Sequence, residues 1–197
     1  MKTSPRQRIL QVAKQRFYEE GFHHTGINQL IKEADTAKAS FYDHFPSKEA
    51  LGIQVVRSFG RDILVWFRQI LRRSRDPEGF VKAFSRAVHM QTQSEISYYQ
   101  GCPIAVFSCQ FPIGKEPFSQ EFRSIAAKWE KTIIDQLERW KALGKLAPGL
   151  DTRALALDII NIYEGCLVNW RITGSKEYID RMEKLLGQLL VAGTSDF

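Results

Sequence analysis

The residues in this chain best equipped to act on a partner are cations gathered at one end. Met1 to Arg75 holds 14 Lys and Arg against 7 Asp and Glu, while Asp76 to Phe197 holds 14 against 15, so the formal net charge of +6 belongs to the first part. A one-sided basic segment suits a polyanion, either nucleic acid or an acidic membrane surface, and a solvated face with no partner gives the same count. Other reactive groupings are weaker. His23-His24 has no acidic, Cys or His partner at ligand spacing, so it reads as a solvated loop and no metal site is expected. Cys102, Cys109 and Cys166 are an odd set without a CxxC pair, which suits thiols in a reducing compartment. A phosphate-binding Gly-rich loop, an HExxH pair and a Ser or Cys nucleophile elbow are all absent from the sequence, so neither catalytic residues nor a cofactor are expected. Apolar runs stop after a handful of residues and the N-terminal residues lead into a charged segment, so the cytoplasm is expected and a membrane is not.

Helices must position these groups. Pro5 opens and Gly21 stops a first amphipathic segment with Ile9, Val12, Ala13 and Phe17 on one face. Thr25 and Gly26 open a shorter one, Ile27 to Ala34, with Ile27, Leu30, Ile31 and Ala34 at i, i+3, i+4, i+7. After a break at Asp35 and Thr36, a third runs from Ala37 to His44 and carries Phe41 and Phe45, ending before Pro46. Ser47 then caps a long helix reaching about Arg73, striped by Leu51, Val55, Phe59, Ile63 and Phe67. Asp76-Pro77 interrupts it, and a pattern of Phe80, Val81, Phe84, Ala87 and Val88 fades into polar Gln91 to Gln100. Gly101 to Pro117 is irregular apart from a short helix from Pro103 to Cys109. Long helices follow over about Ser119 to Leu143, Thr152 to Thr173 and Ser175 to Ala192. With no convincing period-two alternation, the fold is expected to be all-α, with about nine helices.

Two short helices separated by a tight break inside the basic segment have the layout of a helix-turn-helix. The run Gly21-Phe22, Thr25, Ile27, Leu30, Ala34, then Ala39-Ser40-Phe41-Tyr42-Asp43-His44-Phe45-Pro46-Ser47-Lys48-Glu49-Ala50-Leu51 resembles the DNA-binding domain of tetracycline-repressor (TetR) family regulators. Gly26 stands where Ser or Thr is commoner in that family, and Ala39 where Gly is frequent. The resemblance implies a three-helix helix-turn-helix domain over residues 1–48 and a helical ligand-binding and dimerisation domain over 49–197. It implies double-stranded operator DNA as partner, with Thr36, Lys38, Ala39 and Ser40 nearest the bases in the major groove. Tyr42, His44 and Lys48, with Thr25, would contact phosphates, which the helix starts at Gly26 and Ser47 also favour, and Arg6 and Arg8 would add phosphate or minor-groove contacts. The arginines from Arg57 to Arg75 lie beyond the motif and receive no role from it.

A module of this size reads DNA effectively as a dimer. The last two helices carry more apolar surface than a one-sided core uses, so a four-helix bundle between two copies is expected, with Leu186 on the shared face. The resemblance also implies an unidentified small-molecule or electrophile inducer that releases DNA. The residues offered for its pocket are Phe84, His89, Cys102, Phe107, Trp129, Asn161, Tyr163 and Trp170, with Phe80 and Phe111 as further aromatic lining and Glu164 as a further polar group to orient the ligand. The Gly101-Cys102-Pro103 run resembles a subgroup with a Gly-Cys pair here, which makes Cys102 either a sensor of reactive species or a small buried residue. Two other readings stay open: an all-α enzyme using the aromatic pocket, and a helical partner-binding protein whose basic segment meets acidic lipid.

Overall fold

In the computed structural model, which describes residues 3–93 and 100–190, the chain becomes helical at Ser4. Its hydroxyl accepts from the Gln7 amide while the Gln7 side chain accepts from the Ser4 amide, and Pro5 supplies a pre-set first turn. The elements that follow are α1 (Pro5–Glu19), α2 (Ile27–Glu33), α3 (Lys38–His44), α4 (Lys48–Arg73), α5 (Pro77–Gln93), α6 (Pro103–Ser108), α7 (Phe118–Ala142), α8 (Thr152–Thr173) and α9 (Glu177–Leu190). Among the described residues there is no strand, and the all-α expectation holds. α5 runs past Val88, where its apolar period fades, to Gln93. Lys2, the polar residues at 94–99 and the expected end of the last helix at Ala192 lie outside the described residues.

The chain divides into two compact units. The first comprises Met1–Asp62 with Pro103–Ile125, and the boundaries fall inside α4 and α7. Here α1 buries Ile9, Ala13 and Phe17 and packs against α2, α3 and α6. The core is aromatic. Phe22 meets Phe17 at 5.1 Å and Phe118 at 5.3 Å, both edge-on, and Phe111 stacks on Phe118 at 4.1 Å. Lys14, mostly buried over the Phe59 ring, is held by Asp62 at 2.5 Å.

Two glycines of α4 let this core close. A Cβ on Gly52 would lie 2.7 Å from Phe22 Cε2 and 3.0 Å from Phe118 Cζ, and one on Gly60 only 2.6 Å from Ile125 Cδ1. Alanine in a helix gains about 1 kcal/mol over glycine. Overpacking against two buried rings costs about 1–3 kcal/mol. Gly52→Ala is therefore expected to lower stability, by up to about 2 kcal/mol, measured by urea unfolding. A more stable variant would mean that the rings yield.

The second unit comprises Ile63–Cys102 with Ala126–Phe197. Asp151 caps α8 by accepting from the Arg153 and Ala154 amides, and Gly174, at φ +71°, ends it. α9 packs against both α5 and α8 through Ile179, Met182, Leu186 and Leu190, all buried. Leu186 therefore belongs to the core of this unit and is not on a face open to a second copy. The open apolar residues are instead on α8. Leu157, Val168 and Ile172 are exposed, the last to 74%, and they share one stripe with Asn161 and Gly165, opposite the buried Leu155, Ile159, Tyr163 and Cys166. Beside that stripe, α8 and α9 enclose a recess of about 450 Å³ reached by Asn169, Tyr178, Arg181 and Leu185.

Candidate functional site

The turn between α2 and α3 is sharp because Asp35 takes a left-handed conformation, φ +47°, unusual for a residue with a Cβ. The Asp35 and Thr36 amides then donate to the Lys32 and Ile31 carbonyls, both at 3.2 Å, which closes the end of α2. α3 follows, anchored by Phe41 and Phe45, which are buried, and it stops where Phe45 turns extended ahead of Pro46. Its other side is open. Lys38, Ala39, Tyr42 and His44 are exposed, Tyr42 to 44%, while Thr36 and Ser40 are half-buried. The structure thus brings six of the eight motif residues expected at DNA onto α3 and the turn ahead of it, four of them exposed. Asp43, which sequence reasoning passed over, is exposed beside them.

The other two are placed differently. Thr25 is fully buried, and its hydroxyl donates to the Gly21 carbonyl at 2.8 Å, so it fixes the loop ahead of α2 and presents nothing to solvent. Lys48 is half-buried at the start of α4. Its Nζ donates to the His23 carbonyl at 3.2 Å and lies 4.8 Å from the centre of the Phe22 ring. Partial burial lowers its pKa, a cost that a nearby phosphate would offset. The helix starts expected to favour phosphate also differ: α2 has no side-chain cap at Gly26, whereas the Ser47 hydroxyl already accepts from the Ala50 amide at 3.0 Å.

Arg8 is engaged within the protein as well. Its guanidinium donates to the Ala34 carbonyl at 2.9 Å, to Asp35 at 2.7 Å and to Thr3 at 3.0 Å, bracing α1 against the α2–α3 turn. Arg6 lies over the Phe45 ring at 5.5 Å. Arg16 ties α1 to α2 through Glu33 at 2.6 Å, and this bond holds the arginine above and the glutamate below their ordinary pKa values. Gln110 is the residue that sequence reasoning missed. Its Oε1 accepts from the Phe22 amide at 2.6 Å, its Nε2 donates to the Phe17 carbonyl at 3.2 Å, and its own carbonyl accepts from His23 Nε2 at 3.1 Å. One carboxamide thereby joins the end of α1 to the loop that Lys48 also grips. Among the arginines left without a role, Arg57 pairs with Glu121, and Arg61, Arg68, Arg72 and Arg73 are exposed.

In the second unit, Phe84, Trp129 and Tyr163 line one apolar cavity. The sequence reading did not place Trp66, Phe67 or four isoleucines there, although Ile63 and Phe67 belonged to the α4 stripe. Phe84 sits 5.5 Å from Trp66 and 5.4 Å from Tyr163. The free space is about 20 Å³, room for one water-sized sphere. The other expected pocket residues lie elsewhere. Phe107 is in the core of the first unit, near Phe17, Phe59 and Phe111. His89 faces Asp180 at 3.4 Å, Asn161 borders the α8–α9 recess, and Trp170 is half-buried. Cys102 is buried and hydrogen-bonded to the carboxyl of Glu164, whose Oε2 is buried without a partner among the described residues and whose pKa burial pushes up. Cys102, Cys109 and Cys166 are all thiols. Among the described residues no cluster of His, Cys, Asp and Glu is fit to hold a metal ion, and no helix is long and apolar enough to cross a membrane.

Comparison with known proteins points the same way. The family profile "Bacterial regulatory proteins, tetR family" matches residues 9–55, and "Tetracyclin repressor-like, C-terminal domain" matches 80–186. The HTH-type transcriptional repressor DhaR of a Mycobacterium species is 27% identical over 200 residues, which cover 99% of this chain and 96% of that one. The HTH-type transcriptional repressor NemR of Escherichia coli is 25% identical over 137 residues, covering 68% of this chain and 65% of its own. Among solved structures, a TetR-family regulator from Cytophaga hutchinsonii superposes with a TM-score of 0.88 at 16% identity, over the whole of both chains. The reduced form of E. coli NemR gives 0.83 at 19% identity, over 92% of this chain and 94% of that one. At these identities the superpositions speak for the fold alone.

Proposed function

Because the chain belongs to the TetR family of bacterial transcriptional regulators, we propose that it is a homodimeric, non-enzymatic repressor acting in the cytoplasm on a palindromic operator. A small molecule or electrophile entering the second unit releases it. In this reading residues 1–48 read DNA and 49–197 hold the ligand and dimerise. The observation that carries it is α3, whose Lys38, Ala39, Tyr42 and His44 stand open while Phe41 and Phe45 lock the helix from behind. A helix so held fits the major groove with its polar side toward the bases. Lys38, Ala39, Ser40 and Thr36 read base edges; Tyr42, His44 and Lys48 set the register on phosphates. Thr25 and Arg8 act one step back, by holding the loop and the turn in place.

Selection of genomic fragments by the purified protein, followed by affinity measurements on the recovered site, tests this reading. Tyr42→Phe is expected to weaken specific and random DNA alike, by about tenfold for each subunit, the worth of one hydrogen bond to a charged oxygen. Lys38→Ala is expected to change the preferred base at its position, where a mismatch in the native site costs about 1–3 kcal/mol. The reverse pattern would exchange the two roles, and recovery of no enriched sequence would remove the operator reading.

A further inference from the structure

Gln110 lies outside residues 1–48, yet it belongs to the same compact unit and holds the loop between α1 and α2. Gly21, at φ +93°, turns the chain so that the Phe22 amide meets the Gln110 carboxamide. That carboxamide is used at both ends. Its oxygen accepts from the Phe22 amide at 2.6 Å, and its nitrogen donates to the carbonyls of Phe17 at 3.2 Å and Val106 at 3.4 Å. The pattern fixes its orientation, since a flipped amide would set N–H against N–H. The main chain adds a further tie, with His23 Nε2 donating to the Gln110 carbonyl at 3.1 Å. Phe22 is buried, so its amide, deprived of this acceptor, would draw the loop out toward water.

The same two residues seat Lys48. Its Nζ donates to the His23 carbonyl at 3.2 Å and lies 4.8 Å from the centre of the Phe22 ring. That ring is itself packed by Phe111 and Phe118, each at 5.3 Å. A lysine free to sample its rotamers loses that freedom on gripping a phosphate, whereas one already seated has little left to lose. We propose that Gln110 is a positioning residue for DNA binding, which fixes Phe22 and His23 and so aims the Lys48 ammonium at a backbone phosphate. The inference rests on the reading of Lys48 as a phosphate contact, and it extends the DNA-binding machinery to a residue beyond the helix-turn-helix.

Titration of the full-length protein with random-sequence duplex DNA over a range of monovalent salt tests this, because phosphate contacts do not depend on sequence. Lys48→Met, which removes one cation from each subunit of a dimer, is expected to lower the slope of log affinity against log salt by about two. Gln110→Met keeps the length of the side chain and changes no charge, but loses the carboxamide bonds. It is expected to lower the slope by about one, and to have no further effect in a chain that already carries Lys48→Met. A residue that merely supported the fold would leave the slope alone, or weaken binding in both backgrounds. Circular dichroism and sedimentation show whether each variant is a folded dimer. If Gln110→Met is not, Gln110→Asn, one methylene too short to reach the Phe22 amide, replaces it with the same expectation. An unchanged slope in Lys48→Met removes the phosphate role of Lys48 and this proposal with it. A reduced slope there, combined with an unchanged slope in Gln110→Met or a loss that persists in the double variant, overturns the positioning role alone.

Discussion

Lysine substituted at both Val168 and Ile172 is expected to leave a folded monomer whose operator affinity has fallen by more than about ten-thousandfold. Both side chains are exposed on the open stripe of α8, where little in the subunit depends on them. Leu157 continues the stripe, and the recess against α9 gives a partner helix somewhere to seat. A stable interface removes roughly 1,600 Å² from water. Two ammonium groups in its centre, met by the same two from the symmetric copy, would be desolvated against like charge. Loss of the dimer halves the number of reading heads, and a site bound with about −12 kcal/mol by two heads retains about half of that with one. Sedimentation equilibrium and filter binding measure the two effects. A dimer that survives both lysines would place the interface on another face. Leu186→Lys is a poorer test, since that residue is sealed against α5 and α8 and the charge would unfold the unit.

Raising monovalent salt from about 50 to 200 mM is expected to lower operator affinity by about a thousandfold, the figure for some six neutralised phosphates. Two copies of the cations Arg6, Lys38 and Lys48 supply that number, while Tyr42 and a neutral His44 add hydrogen bonds without releasing counterions. The argument turns on counterion release, so random DNA should show nearly the same slope as the operator. A flat response would mean that the basic segment has been misread. The exposed arginines of α4 add a check. If Arg61, Arg68 and Arg72 touched DNA, replacing them would reduce the slope; in the present reading their removal leaves it unchanged.

The exposed helix α3 was legible in the sequence because its determinants are local. Phe41 and Phe45 stand one turn apart, Pro46 forbids continuation, and the neighbouring residues must then face outward. Gln110 had no such signal, since its partners Phe17, Phe22 and His23 lie 87 to 93 positions away and an isolated glutamine has no period. Phe107, expected at the ligand pocket, is in the core of the first unit instead, because a six-residue helix does not say which of two cores receives it. Leu186 and Val168 show the same limit in α8 and α9. An excess of apolar residues signals a second burial partner, yet only packing shows which side faces the subunit's own helices.

The seven residues of α3 make a rod about 10 Å long, against base pairs stacked every 3.4 Å or so. One such helix can inspect roughly three base pairs directly, and a pair of them roughly six. A six-letter word recurs by chance about once in four thousand base pairs, whereas a genome offers on the order of a million or more competing sites. The missing information has to reside in distance. A dimer accepts only half-sites set at its own spacing, so the interval between two short words becomes part of the message. A ligand that alters that interval acts on the address as much as on the grip.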